Sequence, residues 1–363
     1  VALGNAAGIK LWKWPMSTEA GRMNGCEVCL SILIVNWNTR DLLRQCLESV
    51  YQSIRRVAFE VIVVDNGSTD DSVEMVTTAF PKAILVENKS NVGFAAANNQ
   101  GIKLCSGQLV LLLNSDTRVL DGAIDSCVEY MKQHPRNGVL GCRVLYPDGT
   151  FQSSYFRFTH LRELLLLQCL GLRPLVLLGR RLGFRNLNYP SRYWGRVFST
   201  AAEVDAVAGC FFLVRKSVID EVGLLDEDFF FYGEEEEWCF RIKRAGWSVV
   251  HYPFAEIIHF HGGSTDKTSS QSAFASRRAR LIVLEKTRGM FSAWVGNVIM
   301  TLGMFLRLPV WLIADWIKTA RANEKNNPFS KRLELIRFHL AALVRPVWRP
   351  APANGRGTRE GVL

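Results

Sequence analysis

Residues 59–70 read FEVIVVDNGSTD. Phe59 to Val64 is an apolar, β-branched run broken only by Glu60, the composition of a buried strand. Asp65 to Asp70 then halts it with turn formers that also supply a helix N-cap. The same strand, turn and helix unit recurs on both sides. Leu30 to Asn36 (LSILIVN) predicts a strand, and Asp41 to Tyr51 a helix with Leu42, Leu43, Cys46, Leu47 and Val50 on one face. Ala83 to Glu87 predicts a third strand and Phe94 to Cys105 a helix of small residues. Leu109 to Leu113 predicts a fourth strand that runs into Asn114-Ser115-Asp116. Strands alternating with helices imply a mostly parallel sheet with helices on both faces. Ligands of such sheets bind beyond the carboxyl ends of the strands, so the clusters at Asn36, Asp65 and Asn114 to Asp116 are expected to converge.

Between Phe151 and Ala202 the alternation breaks, which predicts an inserted loop or lid. Gly209 to Arg215 (GCFFLVR) restores a strand, Ser217 to Val222 a short helix, and FFFYGEEEEWCF follows at 229–240. The layout is an N-terminal extension at 1–25 outside the fold, an α/β catalytic domain at 26–276 with the insert at 151–202, and a helical region at 277–363. With 363 residues and 48% hydrophobic content, a buried core is ample and disorder is excluded as a description of the chain.

The net charge of +10 is concentrated: residues 277–349 hold 14 Lys and Arg against 4 Asp and Glu. These cations are interleaved with Trp, Phe, Leu and Ile, which fits an anionic membrane surface better than nucleic acid. A solvated basic helix face is the plain alternative. Met290 to Leu306 is a 17-residue run without charge. That is shorter than the roughly 20 residues that span a bilayer, so an interfacial helix or helical hairpin is expected, with a core helix as the other reading. Nine scattered cysteines give no disulfide framework, and Cys26 with Cys29 is a lone CxxC without a second zinc pair. The odd count and the lack of a signal-peptide pattern lead to the expectation of a reducing cytoplasm.

Asp65 and Asp116 stand at or just past the ends of buried strands, where a carboxylate can meet nucleotide hydroxyls or a hard divalent cation. Each taken alone is equally well a cap or turn residue. Glu234 to Glu237 are wedged between Phe229-Phe230-Phe231-Tyr232 and Trp238-Cys239-Phe240, so the four carboxylates cannot all be remote from the interior. Crowded acids beside apolar rings have raised pKa values, which suits a general base; acids favoured by a helix dipole are the structural alternative. His259 and His261 precede Gly262-Gly263-Ser264-Thr265, where a His can ligate a metal or contact a phosphate and the Gly-rich turn can cradle an anion.

Taken in order, these clusters resemble the inverting family-2 glycosyltransferases of GT-A fold, in particular a bacterial rhamnosyltransferase-like branch. Ser31 to Asn38 is similar to the opening strand, Val63 to Asp70 to the nucleotide-binding turn, and Asn91 to Gly101 (NVGFAAANNQG) to a further nucleotide-facing and phosphate-facing motif. Asn114-Ser115-Asp116 resembles the DxD metal motif, Phe230 to Arg241 the segment with the paired acids of the acceptor site, and His259 to Ser264 the HxxGxS turn. The likeness covers about residues 29–265.

The resemblance implies a Rossmann-like GT-A domain followed by a helical, membrane-associating appendage. It places the nucleotide-sugar at Asn36, Asp65, Gly93, Asn98, Asn114 and Ser115, and Mg²⁺ or Mn²⁺ at Asp116 and His259. Glu235, or its neighbour Glu234, is then the general base. Two departures stand out: Asn114 replaces the first acid of DxD, and Glu234-Glu235 replaces the usual Glu-Asp pair. The implied reaction carries a sugar from a dTDP-rhamnose or UDP-sugar donor to a glycan or polyprenyl-linked acceptor in cell-surface polysaccharide synthesis. The expected location is the inner face of the cytoplasmic membrane, with no nucleic-acid partner. A nucleotidyltransferase would carry a Gly-rich basic loop after its first strand, where Asn36-Trp37-Asn38-Thr39 stands instead. A non-catalytic membrane scaffold is the remaining alternative, drawing on Asn114 and the glutamate substitution.

Overall fold

A computed structural model of the protein describes residues 10–12, 29–169, 197–260, 270–321, 328–346 and 348. Cys26, most of the N-terminal extension, residues 170–196 of the insert and His261 to Thr265 lie outside the described residues. The chain divides into two units, Val1–Arg157 with Gly195–Lys267, and Phe158–Trp194 with Thr268–Leu363.

The first unit is built on an eleven-stranded sheet. Its strands are β1 (Lys10–Trp12), β2 (Leu30–Asn36), β3 (Phe59–Asp65), β4 (Ile84–Glu87), β5 (Leu109–Asn114), β6 (Thr117–Val119), β7 (Asn137–Leu145), β8 (Phe151–Gln152), β10 (Ala202–Glu203), β12 (Phe211–Arg215) and β13 (Ser248–His259), while β9 (Tyr155–Phe156) and β11 (Ala206–Val207) form a separate pair. The central path runs β1-β4-β3-β2-β5-β12-β7-β13-β10. β4, β3, β2 and β5 are mutually parallel, as the alternation requires. Their register aligns Asn36 with Asp65 and Val35 with Asn114, so three polar clusters finish at nearly one level of the sheet. β12 runs antiparallel between β5 and β7, while β7 and β13 pair in parallel. Lys10–Trp12, inside the stretch read as an extension, adds an antiparallel edge strand to β4.

The intervening helices are α1 (Arg40–Ser53), α2 (Ser72–Ala79), α3 (Phe94–Ile102) and α4 (Ala123–Gln133). α1 buries Leu43, Cys46, Leu47 and Val50 against Ile32, Ile34, Val61, Val63 and Leu111, the stripe its periodicity predicts. Each such fully buried aliphatic side chain contributes about 1.5–3 kcal/mol, which fixes the strand ends that carry the polar clusters.

The second unit is helical. A short helix α5 (Leu161–Glu163) continues into a π-helical turn at Leu164–Cys169. After two helices of the first unit, α6 (Lys216–Val222) and α7 (Glu234–Arg244), come α8 (Ser270–Arg288), α9 (Met290–Arg321) and α10 (Pro328–Val344). α9 buries Ala293, Asn297, Met300 and Met304 and leaves Phe291, Trp294, Leu302, Phe305 and Leu306 exposed. The exposed set recurs at helical spacing and makes an apolar stripe opposite the buried face. Met290–Pro309 is long and apolar enough to cross a membrane by length and composition.

Candidate active site

The parallel strand ends bring the first cluster together through side-chain amides and hydroxyls. Asn36 donates from Nδ2 to Asp65 Oδ2 (3.0 Å) and to Ser68 Oγ (3.2 Å), and its Oδ1 accepts from Thr39 Oγ1 (2.7 Å). Asp65 Oδ1 accepts the Ser68 N–H at 2.9 Å, so the carboxylate is pinned on both oxygens at the mouth of β3. Thr39 also bonds Ser115 at 2.8 Å, which ties this cluster to the loop after β5. Asn66, beside Asp65, holds the neighbouring turn. Its Nδ2 donates to Asn91 Oδ1 at 2.8 Å and its Oδ1 accepts from the Val92 N–H at 3.0 Å. Asn98 is buried on α3 with its Nδ2 on the Phe94 carbonyl.

Gly93 closes this wall. Its φ is +91°, and a Cβ there would lie 2.9 Å from the Phe230 carbonyl oxygen. The Phe94 N–H donates to that same oxygen at 2.8 Å, so the turn before α3 is bolted to the chain leading into α7. Gly93→Ala is therefore expected to cost about 1–3 kcal/mol in urea unfolding, from the left-handed backbone alone and before the Phe230 clash. A loss below the few tenths typical of a surface change would show that this turn yields freely.

On the other side of β5, antiparallel pairing of β6 with β13 sets His259 opposite Thr117 and next to Asp116. His259 Nε2 lies 3.1 Å from Asp116 Oδ1, and its Nδ1 lies 3.3 Å from Gln152 Oε1 on β8. If Nδ1–H donates to the Gln152 carbonyl oxygen, Nε2 turns its lone pair to the carboxylate. A metal-ligating His commonly donates its second nitrogen to a carbonyl in this way. A 3.1 Å separation also matches adjacent ligands of an octahedral cation with bonds of about 2.1 Å. Asn114 Oδ1 is buried without a hydrogen-bond partner. Among the described residues no group of three or more His, Cys, Asp or Glu could hold a metal ion. The donor set fits a hard cation that takes its remaining ligands from diphosphate and water.

The acidic run opens α7, with all four glutamates in its first turn, where the helix dipole favours them. They divide by role. Glu237 pairs with Arg241 at 2.8 Å, and Arg241 goes on to the Val222 and Leu224 carbonyls, so this acid is structural. Glu234 and Glu235 each keep a buried carboxyl oxygen, Oε2, with no partner. Burial, then the charge of Glu235, holds the Glu234 carboxyl well above the usual range. Burial raises Glu235 too, opposed by the backbone N–H groups at Glu235 and Gly233. Of the two, Glu235 keeps more solvent contact. The fully enclosed Cys210 thiol, pushed up to about 12 by burial, also feels Asp116 and then Glu235. Asp116, in the turn between β5 and β6, and Glu235, on α7, thus stand on different elements.

The family model Glycosyl transferase family 2 matches residues 31–223, more than half of the chain. The chain belongs to glycosyl transferase family 2. This transferase is 25% identical over 272 residues to the N-acetylglucosaminyl-diphospho-decaprenol L-rhamnosyltransferase of Mycobacterium tuberculosis, covering 70% of this chain and 83% of that protein. It is 26% identical over 249 residues to the low-salt glycan biosynthesis hexosyltransferase Agl10 of Haloferax volcanii, covering 68% of this chain and 71% of that one. Among solved structures, the mannosyltransferase PcManGT from Pyrobaculum calidifontis in complex with GDP-Man and Mn²⁺ superposes with a TM-score of 0.50 at 15% identity, over 88% of this chain and 87% of that chain. GalNAc-T7 with UDP, GalNAc and Mn²⁺ also gives 0.50, at 16% identity, over 71% and 48%. At such identities the likeness is one of fold, and it identifies the mixed sheet as GT-A.

Several residues of this transferase site carry no role of their own in the sequence, standing inside motifs or outside any. Ser68, Asn66, Asn88 and Gln100 build the hydrogen-bonded wall beside Asp65, the last two bonding each other through both amides. Gln152 orients His259 from a two-residue strand inside the insert, where no motif marks it.

Proposed function

We propose that this family-2 transferase moves a sugar from a nucleotide-diphosphate donor, dTDP-rhamnose or a UDP-sugar, to a glycan or polyprenyl-linked acceptor with inversion. One observation carries the reading: a buried carboxyl oxygen of Glu235, raised in pKa and without a partner, on a different element from the Asp116–His259 pair. A base and a cation-holding pair on separate walls are what a single displacement needs. The acceptor hydroxyl gives its proton to Glu235 as its oxygen bonds to the anomeric carbon. The bond from that carbon to the diphosphate breaks from the opposite face, and the diphosphate leaves with the electron pair.

Asn36 and Asp65 hold the nucleoside end, and the Gly93 turn keeps the donor wall against α7. Asp116 and His259 would hold Mg²⁺ or Mn²⁺, which when bound supplies positive charge to the departing diphosphate. The M. tuberculosis relative, named for transfer of L-rhamnose to a decaprenyl diphosphate-linked sugar, supports a lipid-linked acceptor. The apolar stripe of α9 and the basic C-terminal region support a place at a membrane surface, on the cytoplasmic side where nucleotide-sugars are made. The test is incubation of purified protein with dTDP-, UDP- and GDP-sugars and a polyprenyl-diphosphate-linked sugar, with NMR assignment of the new anomeric centre. Retained configuration, or no transfer from any donor, overturns the reading.

Glu234 sets a pH prediction. Its folded pKa is raised, so the folded protein binds more protons than the unfolded chain between the ordinary carboxyl pKa and the raised one. Stability then falls as pH rises through that window, and the penalty is complete above the folded pKa. Glu234→Gln removes the ionisable group and is expected to melt progressively higher than wild type as pH increases, with the difference vanishing in acid. Parallel melting curves across the pH series would show that Glu234 does not titrate in this way.

A further inference from the structure

Residues Gly223 to Gly233 join α6 to α7 with no helix or strand of their own, yet they lead into the helix that carries Glu235. The placement of that helix therefore depends on which side chains take up the backbone groups of this segment. Its first part is held by α7 itself. Arg241 donates to the Val222 and Leu224 carbonyls at 2.6 and 2.7 Å, and Trp238 Nε1 donates to the Gly223 carbonyl at 2.9 Å. The next residue is held by a different helix. Asn99 of α3 accepts the Leu225 N–H on Oδ1 at 3.1 Å and returns Nδ2 to the Leu225 carbonyl at 2.9 Å. Nδ2 also donates to Glu227 Oε1 at 3.0 Å. The three partners agree on one orientation of the amide, both of its hydrogens are in use, and the side chain is buried. At the start of α3, the Phe94 N–H donates to the Phe230 carbonyl at 2.8 Å, and the Phe94 ring meets Phe231 edge-on with centroids 6.1 Å apart. α3 thus grips the segment at two points about 7.5 Å apart along its axis.

The same helix builds the wall beside Asp65. Gln100, the residue after Asn99, exchanges both amide hydrogen bonds with Asn88, whose Nδ2 reaches Asn66 Oδ1 at 3.2 Å. Successive helical residues point about 100° apart, so Asn99 and Gln100 hold different walls from one rigid element. The wall beside Asp65 is registered in this way against the segment that leads to Glu235. The end of that segment needs such support. Tyr232 has φ +70° and Gly233 φ +89°, two consecutive left-handed residues directly before Glu234. A residue as bulky as Tyr persists in that conformation where its surroundings over-determine it.

We propose that Asn99 is a positioning residue for sugar transfer, holding Glu235 in register with the donor by tying Leu225 and Glu227 to α3. This deepens the reading of Glu235 as the base and rests on it. The test is a double-mutant cycle between Asn99 and Glu235 on the full chain, with kcat and the donor KM read in the transfer assay with dTDP- and UDP-sugars and the polyprenyl-diphosphate-linked sugar. N99A is expected to lower kcat by about tenfold to a hundredfold, the scale of a misplacement of about 1 Å, with donor KM and donor-induced thermal stabilisation at their wild-type values. In the Glu235→Gln background the same change is expected to cost little more, because a group that acts through the base has nothing left to position. N99A also leaves the buried backbone groups of Leu225 unpaired, so a second pair of variants guards against a folding artefact. N99D sets a carboxylate against Glu227 and is expected to lower kcat. Adding E227Q, at an exposed position, lets the new amide donate to that carboxylate and is expected to recover part of the loss. Wild-type kcat in N99A, an equal loss in both backgrounds, a loss confined to donor KM, or no recovery in N99D/E227Q overturns the proposal and leaves the base reading standing. No transfer in wild type, or wild-type turnover in Glu235→Gln, overturns the base reading and this inference with it.

Discussion

Glu235→Gln is expected to lower sugar transfer by about 10²–10⁴-fold, the usual contribution of a positioned general base. The substitution keeps the volume of the side chain, and Gln can still accept a hydrogen bond from the acceptor hydroxyl, but it cannot take the proton. Nucleotide-sugar binding should persist, because the donor wall is held by Asn36, Asp65 and the Gly93 turn rather than by α7 side chains. Single-turnover transfer and donor-induced thermal stabilisation, measured side by side, separate the two effects. Wild-type turnover in Glu235→Gln with a large loss in Glu234→Gln would move the base to Glu234. The choice of Glu235 rests on exposure: Glu234 is buried, whereas Glu235 keeps solvent contact through which an acceptor can reach it.

Asp116→Ala is expected to abolish the metal-dependent part of donor binding and to cost at least about a hundredfold in transfer, since charge stabilisation at such sites amounts to several kcal/mol. In wild type, Mn²⁺ should raise the melting temperature further when a nucleotide-sugar is present, and EDTA should remove that increment. In Asp116→Ala the increment should be absent with or without EDTA. The change also removes the buried carboxylate beside His259 Nε2. Asp116→Asn keeps the side-chain volume beside His259 and tests that second effect: it should melt like wild type without metal and still lack the metal-dependent increment. A full increment in Asp116→Ala would place metal binding elsewhere.

The parallel half of the sheet was legible because its signals are local. FEVIVVDNGSTD carries strand, turn and cap in a few residues, and LSILIVN is a mostly apolar strand that ends on a polar residue. β7 gives no such signal. Its sequence, NGVLGCRVL, holds two glycines that weaken strand patterning, yet both are required by distant neighbours. A Cβ on Gly141 would stand 2.6 Å from Val207 Cβ, and one on Gly138 would stand 2.8 Å from Trp247 Cβ. The site divides in the same way. Asp65, Asp116, Glu235 and His259 sit in recognisable motifs, whereas Gln152 matters only through a pairing between β7 and β8. The division of labour among four consecutive glutamates was likewise set by partners far along the chain, Arg241 reaching the Val222 and Leu224 carbonyls.

β12 is wedged between β5 and β7, although residues 211–215 emerge from the ribosome long after residues 109–114 and 137–145. Until then the apolar edges of two finished strands have no permanent neighbour, and bare edges of this kind invite pairing with other chains. Synthesis therefore passes through an interval in which the nascent protein is half a sheet with an open seam. The last tight closure of that seam joins Leu113 to Phe211 and Val139 to Val214, contacts of long sequence separation that make folding slow to commit. That interval is built into the strand order of this enzyme.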